Sequence, residues 1–213
     1  MNMQIRTTES ELKYNTSTGW LCLDFANTVD WHASSDPEDT INTYADLLVW
    51  AKKVDIVSAD EAKLLQDASK KAPAKAQLIL NKAKALREAI YETLSNISQG
   101  QPAKKPDLAV INKAIADMLS RSKLIFKDVS FVWDWDSQSK ELGFILWPIV
   151  RSTAELMTSE ALHRVGRCAD DRGCGWLFWD SSRNKSRRWC DMRDCGNRAK
   201  ARRFYKKIKS NTN

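Results

Sequence analysis

The chain has 213 residues, with 34 Lys and Arg against 27 Asp and Glu and an apolar fraction of 43%, which suits one ordinary domain with or without a small appended module. Seven glycines and five prolines argue against collagen-like, low-complexity and turn-dense all-β chains. The longest apolar run, Phe144 to Val150, is too short for a bilayer span of about 20 residues, and the polar stretch Met1 to Lys13 lacks a secretory signal's apolar core; no membrane contact and a cytoplasmic location are expected.

Helical spacing dominates residues 1–163. Ile41, Tyr44, Leu47, Leu48, Ala51 and Val54 recur as one apolar stripe. Ser58 and Glu61 stand at capping-box spacing ahead of Leu64, Leu65 and Ala68. Pro73 opens a longer helix carrying Leu78, Ile79, Leu86, Ile90, Leu94 and Ile97, which the run Ser98 to Pro102 ends. Leu108, Ile111, Ile115, Met118 and Leu119 then define a fourth helix. After Ser122 the period shortens. Phe131, Trp133 and Trp135 alternate, as do Leu142, Phe144 and Leu146 beyond a turn-like Asp136 to Ser139, so a β-hairpin is expected near 124–147. Pro148 to Val165 returns to helical spacing, with Val150, Ala154, Met157, Ala161 and Val165 inward. The fold class expected is mainly α with a β-hairpin (α+β).

Nine tryptophans are many for this length, and six of them, including Trp20, Trp31, Trp50 and Trp147, are expected to pack the body. The stretch Leu21 to Trp31 interleaves polar with apolar residues. Asp24, Asn27, Thr28 and Trp31 are therefore a possible ligand pocket, with caps and buried hydrogen bonds as the plainer role for the polar three. Cys22 in that setting is an inert core thiol.

Charge and cysteine converge on the last fifty residues. From Arg164 to Asn213 there are 15 Lys and Arg and 5 Asp and Glu, leaving 19 and 22 to the other 163 residues. A basic module on a mildly acidic body points to a polyanion partner. Cys168, Cys174, Cys190 and Cys195 fall within 28 residues of this segment, as two close pairs 15 residues apart. Without a secretory signal such a cluster points to one structural Zn²⁺ rather than to disulfides. Four thiolates leave no open coordination position for catalysis. A module of about 45 residues needs the metal's folding free energy, on the order of 10 kcal/mol. Trp176 to Asp180 is expected to pair with Arg187 to Cys190 as a second hairpin. A helix after Cys195 is expected to lay Ala201, Phe204, Tyr205 and Ile208 over Trp176 and Phe178. The candidate nucleic-acid contacts are Arg183, Lys185, Arg187 and Arg188 on the hairpin, and Arg198, Lys200, Arg202, Arg203, Lys206 and Lys207 on the helix.

The stretch Cys190 to Arg198 contains Cys195-Gly196-Asn197-Arg198, and with Cys174 to Trp189 before it and Ala199 to Arg203 after it this resembles the CGNR zinc finger. Leu21 to Trp31, Tyr44 to Ala51 and Leu86 to Tyr91 are similar to the ABATE domain that precedes this finger in its family. The spacing Cys168-x5-Cys174 is one residue wider than the family's pattern. The resemblance implies an ABATE-like domain over 1–163, a treble-clef-like finger over 164–213, the four cysteines as zinc ligands, and a bacterial, stress-linked transcription regulator acting on double-stranded DNA. The body would sense a signal or mediate assembly, with a homodimer suited to palindromic operators. An RNA-binding or ribosome-associated zinc module and a protein-interaction adaptor are the alternatives. With two histidines, His32 and His163, and no phosphate-binding glycine loop, an enzyme is not expected.

Overall fold

A computed structural model describes residues 14–135 and 141–210. Its core begins with a short helix buried on almost every side. In α1 (Leu21–Ala26) the residues Leu21, Cys22, Leu23, Phe25 and Ala26 are all inaccessible to solvent. Such a segment cannot rely on an exposed polar face, so its start is tied by hydrogen bonds. Asp24 accepts from the Ser17 amide (2.6 Å), the Ser17 hydroxyl (2.8 Å) and the Thr18 amide (3.1 Å). The Cys22 amide donates to the Ser152 hydroxyl.

Two short strands, β1 (Val29–Asp30) and β2 (Glu38–Asp39), pair antiparallel after α1. The helices α2 (Tyr44–Lys53) and α3 (Ala59–Lys71) follow, each opened by a complete capping box, Thr43 with Asp46 and Ser58 with Glu61. The apolar stripe from Ile41 to Val54 is buried as its spacing requires. Pro73 sits at the first position of α4 (Pro73–Ser98), where its missing N–H costs nothing. This 26-residue helix packs against α1, α2, α3 and α5 (Lys105–Leu119), burying Ile79, Leu86, Ile90, Tyr91 and Leu94. Among the described residues no helix is long and apolar enough to cross a membrane.

The hairpin lies earlier than expected. Strand β3 (Ser122–Lys127) pairs with β4 (Ser130–Trp135) across the two-residue turn Asp128-Val129, with Asp128 at φ +57°. An Asp tolerates that left-handed backbone, so the turn closes the ladder without the glycine that usually signals it. Leu142 to Leu146, the expected second strand, is instead a 3₁₀ turn burying Leu142, Ile145 and Leu146 at i, i+3 and i+4. Asp136 to Lys140 fall outside the described residues. Helix α6 (Trp147–Met157) also ends sooner than its pattern suggests, and a second 3₁₀ turn (Glu160–Arg164) leads into strand β5 (Val165–Arg167).

Strand β5 pairs antiparallel with β6 (Leu177–Trp179), and helix α7 (Asn197–Ser210) closes the chain. Val165 and Leu177 belong to the same continuous core as α1 and α4, so this small hairpin is built onto the body. The architecture is a helical domain followed by a treble-clef-like zinc finger, in the α+β class.

A polar network crosses the α4 side of this core. The Arg87 guanidinium, almost wholly buried, donates to both carboxylate oxygens of Asp39 (2.7 and 2.9 Å), and Lys84 reaches Asp39 at 2.8 Å. Burial works against the Asp39 charge, but the hydrogen bonds from Arg87 and Lys84 outweigh it and hold the carboxyl well below the usual carboxylate range. A depressed folded-state pKa stabilises the fold above the unfolded value of about 3.9, and that contribution is lost as pH falls through the folded value. Asp39→Asn should therefore cost about 2–3 kcal/mol at pH 7, since Arg87 keeps only Glu88 as a charged partner. In urea unfolding the gap between variant and wild type should narrow below about pH 4.

Candidate metal centre and nucleic-acid interface

Cys168 follows β5 directly and Cys174 lies just ahead of β6, so both come from the loop joining these strands. The Cys168 amide donates to the Trp176 carbonyl (2.8 Å), which closes that loop into a knuckle. Cys190 lies just ahead of a single π-turn (Met192–Gly196) that runs into α7, and Cys195 lies within it. Asp191 starts the turn by accepting from the Arg193 amide. A Cβ on Gly196 would come 2.5 Å from the Met192 sulfur, so any larger residue there would displace that side chain.

The four sulfurs lie within 4.8 Å of one another, with Cys174 to Cys190 at 3.7 Å and Cys190 to Cys195 at 3.6 Å. A Zn–S bond of about 2.3 Å implies a tetrahedron with edges of about 3.8 Å, so these spacings fit the ion. The sulfurs hydrogen-bond to one another: the Cys174 thiol, bonded to Cys168, is pushed up to about 12, Cys190 is pushed up by Cys168 and Cys174, and Cys168, accepting from both, is held far below the ordinary thiol range. A divalent cation relieves the crowding by taking all four as thiolates, so binding releases protons and weakens as pH falls. The donor set is closed, and the site is structural. His163 is exposed and lies outside the cluster.

The chain matches two family models that together span most of its length. Residues 19–160 match ABATE, described as "Putative stress-induced transcription regulator", and residues 164–207 match the CGNR zinc finger. The chain belongs to the ABATE family. Neither model describes an enzyme family, and no curated protein matches the chain. The CGNR residues have local reasons here. Cys195 is a ligand, Gly196 admits Met192, and the Asn197 side chain donates to the Arg193 carbonyl (3.0 Å). Arg198 donates to the Cys195 sulfur (3.6 Å), pairs with Asp194 and lies over the Trp31 ring.

The finger is seated on the ABATE domain at backbone distance. The Ala33 amide donates to the Gly173 carbonyl (3.1 Å), and the Tyr91 hydroxyl donates to the Gly175 carbonyl (3.0 Å). Gly173 and Gly175 have φ of +92° and +69°, and a Cβ on either would fall within 2.7 Å of the Ala33–Ser34 segment. Asn27, wholly within the interior, donates to the Leu177 carbonyl (2.8 Å) and accepts from its amide (2.9 Å), as a neighbouring strand would. Thr28 donates to the Phe25 carbonyl and accepts from Arg87. The guanidinium groups of Arg172 (5.0 Å) and Arg198 (5.5 Å) both lie over the Trp31 ring, and Asp30 accepts from the Trp176 indole. Of the four candidate pocket residues, Asp24, Asn27 and Thr28 spend their polar groups on the fold. Trp31 lines a cleft of about 700 Å³ beside the metal centre, with Trp176, Phe178 and Arg187.

Two local expectations for the finger fail. Arg187 to Cys190 forms no strand, because Asp180 accepts from the Ser182 and Arg187 amides (2.8 and 2.9 Å) and turns the chain. The partner of β6 is β5, and Gly166 there lies under the Phe178 ring. Phe204 and Tyr205 do not cover Trp176 and Phe178; both are largely exposed.

The basic residues divide by partner. Arg202 pairs with Asp170 (3.0 Å) and Asp171, while Arg172 (2.9 Å) and Arg198 (3.9 Å) also reach Asp170, whose side chain is fully buried. Hydrogen bonds from Arg172 and Arg202 hold that carboxyl well below the usual range. Arg187 lies over Phe178 (4.6 Å) and donates to the carbonyls of Trp189 and Cys190. Arg183, Lys185, Arg188, Lys200 and Arg203 are exposed and carry no ion pair among the described residues. The side chains of Lys206 and Lys207 lie outside them. Asp170 is the residue that sequence reasoning missed. Its signal was an acid inside a cysteine knuckle of a segment otherwise crowded with arginine.

Metal analysis of the purified protein should give one zinc per chain, and Cys190→Ser should lose the ion and much of the finger's stability. Asp170→Asn should keep the zinc while losing about 2–4 kcal/mol in urea unfolding, because three guanidinium groups lose their shared buried carboxylate and only Arg202 and Arg198 keep another, in Asp171 and Asp194. A zinc-free wild type with unchanged thermal stability would contradict the assignment.

Proposed function

We propose that this protein is a DNA-binding transcription regulator whose finger contacts phosphates through Arg183, Lys185, Arg188, Lys200 and Arg203, extended by Lys206 and Lys207. The observation that carries the reading is the Trp189 indole. Arg188 from the loop and Arg203 from α7 both lie over it, at 5.4 and 5.7 Å, so the two basic groups meet at one half-buried ring. Cations that have no carboxylate partner among the described residues, presented by a loop and a zinc-anchored helix, suit a phosphate backbone. Arg187, Arg198 and Arg202 orient this surface from behind.

Duplex rather than single-stranded RNA is the preferred target for a reason in the same geometry. Base stacking needs an open aromatic face, and Trp189 is already engaged by two guanidinium groups, as Trp179 is by Arg164 at 5.9 Å. The body's share is signal sensing or assembly rather than catalysis. A cleft of about 310 Å³ between α4, α5 and α6, floored by Leu86, Leu146 and Val150, is the place for a small apolar signal. Two copies acting together would present two fingers to one duplex.

Fluorescence anisotropy against duplex and single-stranded DNA tests the reading. With seven proposed phosphate contacts, log K should fall with log salt at a slope of about −6. Arg203→Ala and Lys200→Ala should each flatten that slope by about 1. A salt-independent affinity, or tighter binding to single strands, would remove the DNA reading in favour of the RNA module.

A further inference from the structure

The hairpin β3–β4 carries its apolar residues on the outside. Its register sets Leu124 opposite Trp133 and Phe126 opposite Phe131, and paired residues in an antiparallel ladder share a face. All four are exposed, Phe126 by 65% and Phe131 by 70%, and their two rings meet edge to face at 5.2 Å. Val129 at the tip is 91% exposed. The opposite face holds Ile125 and Val132, both half-buried, with Lys123 paired to Asp134 at 3.3 Å. A two-stranded ribbon is marginal alone in water, and this one turns its larger apolar face away from the body.

We propose that this face is the contact surface of a homodimer, in which two hairpins pack against each other about a twofold axis. The assignment deepens the reading in which two copies act on one duplex. The five side chains expose on the order of 600 Å² per copy, taking aromatics at 150–250 Å² each. Paired, they bury about 1,200 Å², the lower bound for a specific interface, and uncovered they reach about 600 Å² per copy, the top of the range for a monomer's largest apolar patch. No charge lies among the four ladder residues; Lys123 and Arg121 beside them are paired with Asp134 and Glu141, and the exposed Lys127 and Asp128 at the tip are of opposite sign. The patch therefore presents no net charge to a partner. A self-matching apolar patch needs only its own copy. The body from residue 1 to 163 carries 19 basic and 22 acidic residues, so two bodies meet without the repulsion that two basic fingers would feel.

Sedimentation equilibrium of the full-length, zinc-loaded protein without DNA tests this at about 10–100 μM. The wild type should show twice the 24.3 kDa chain mass, and Phe126→Ser/Phe131→Ser should show the single mass with unchanged zinc content and far-UV dichroism. Val129→Glu, at a tip that touches little else, should dissociate the dimer equally and decides the matter if the double variant misfolds. A monomeric wild type overturns the proposal whatever its DNA affinity. So does a dimer that survives both hairpin variants, or one that dissociates only when Phe204 and Tyr205 on α7 are changed to Ser.

Discussion

The seating of the zinc knuckle against the ABATE domain is the constraint on which the rest of the structure depends. The ion unites four sulfurs, but Gly173 and Gly175 determine where that cluster sits, because each brings backbone to the Ala33–Ser34 segment where no side chain fits. Tyr91 on α4 and Asn27 after α1 then bond to the backbone on either side of Trp176. An approach this close is tolerated only if the knuckle keeps one shape, and four zinc–thiolate bonds enforce one. Loss of the ion would thus reach β6, whose Leu177 lies in the body's core. The module is small, and beyond the cluster of cysteines and tryptophans at its metal centre it shares the body's core.

The same docking explains how so basic a segment stays folded. Four cysteine thiolates around Zn²⁺ carry a formal net charge of −2, and Asp170, Asp171 and Asp194 add acids nearby. Arg172, Arg198 and Arg202 answer them at short range. These arginines therefore act as an internal counter-charge, and two of them lie over the Trp31 ring. Arg183, Lys185, Arg188, Arg193, Lys200 and Arg203 are exposed with no ion pair among the described residues. Buried charges are kept when paired and hydrogen-bonded, and costly when one partner is removed, so on the proposed reading the division separates residues that hold the finger from those that meet a ligand.

Much of this was legible in the chain, for physical reasons that differ by element. Helices α2, α3 and α4 announce themselves because their start signals are local: Thr43 with Asp46, Ser58 with Glu61, Pro73 at the first turn. The four cysteines were legible because a tetrahedral thiolate site needs that residue type and little else does. The hairpin was misplaced because alternation in Leu142, Phe144 and Leu146 also fits a 3₁₀ turn, whereas the true partner strand closes on Asp128-Val129, a turn without glycine. In the finger, β6 could have paired with sequence on either side. The choice fell to Gly166, which makes room for the Phe178 ring, and to Asp180, which bends the other candidate away. Asp170 was hidden for a related reason: a lone acid gains its meaning from arginines up to 32 positions away.

A finger seated in this way limits how the body can influence it. A flexible tether would let a signal release or mask the finger, but here the Ala33 amide and the Tyr91 hydroxyl, bonded to the Gly173 and Gly175 carbonyls, tie the finger to the Ala33 segment and α4. The cleft proposed for a small apolar signal lies on the other partners of α4, between α5 and α6. Filling it would shift α5, from whose end the β3–β4 hairpin extends, more readily than it would shift the buried Asn27–Leu177 contact. On the proposed reading, the quantity open to regulation is therefore the angle and spacing between two fingers set by the hairpin interface. The conformation of each finger is held by its metal and its seat. Recognition of paired half-sites depends on that spacing, so a displacement of α5 by a few ångströms would change the fit to DNA without altering a single phosphate contact.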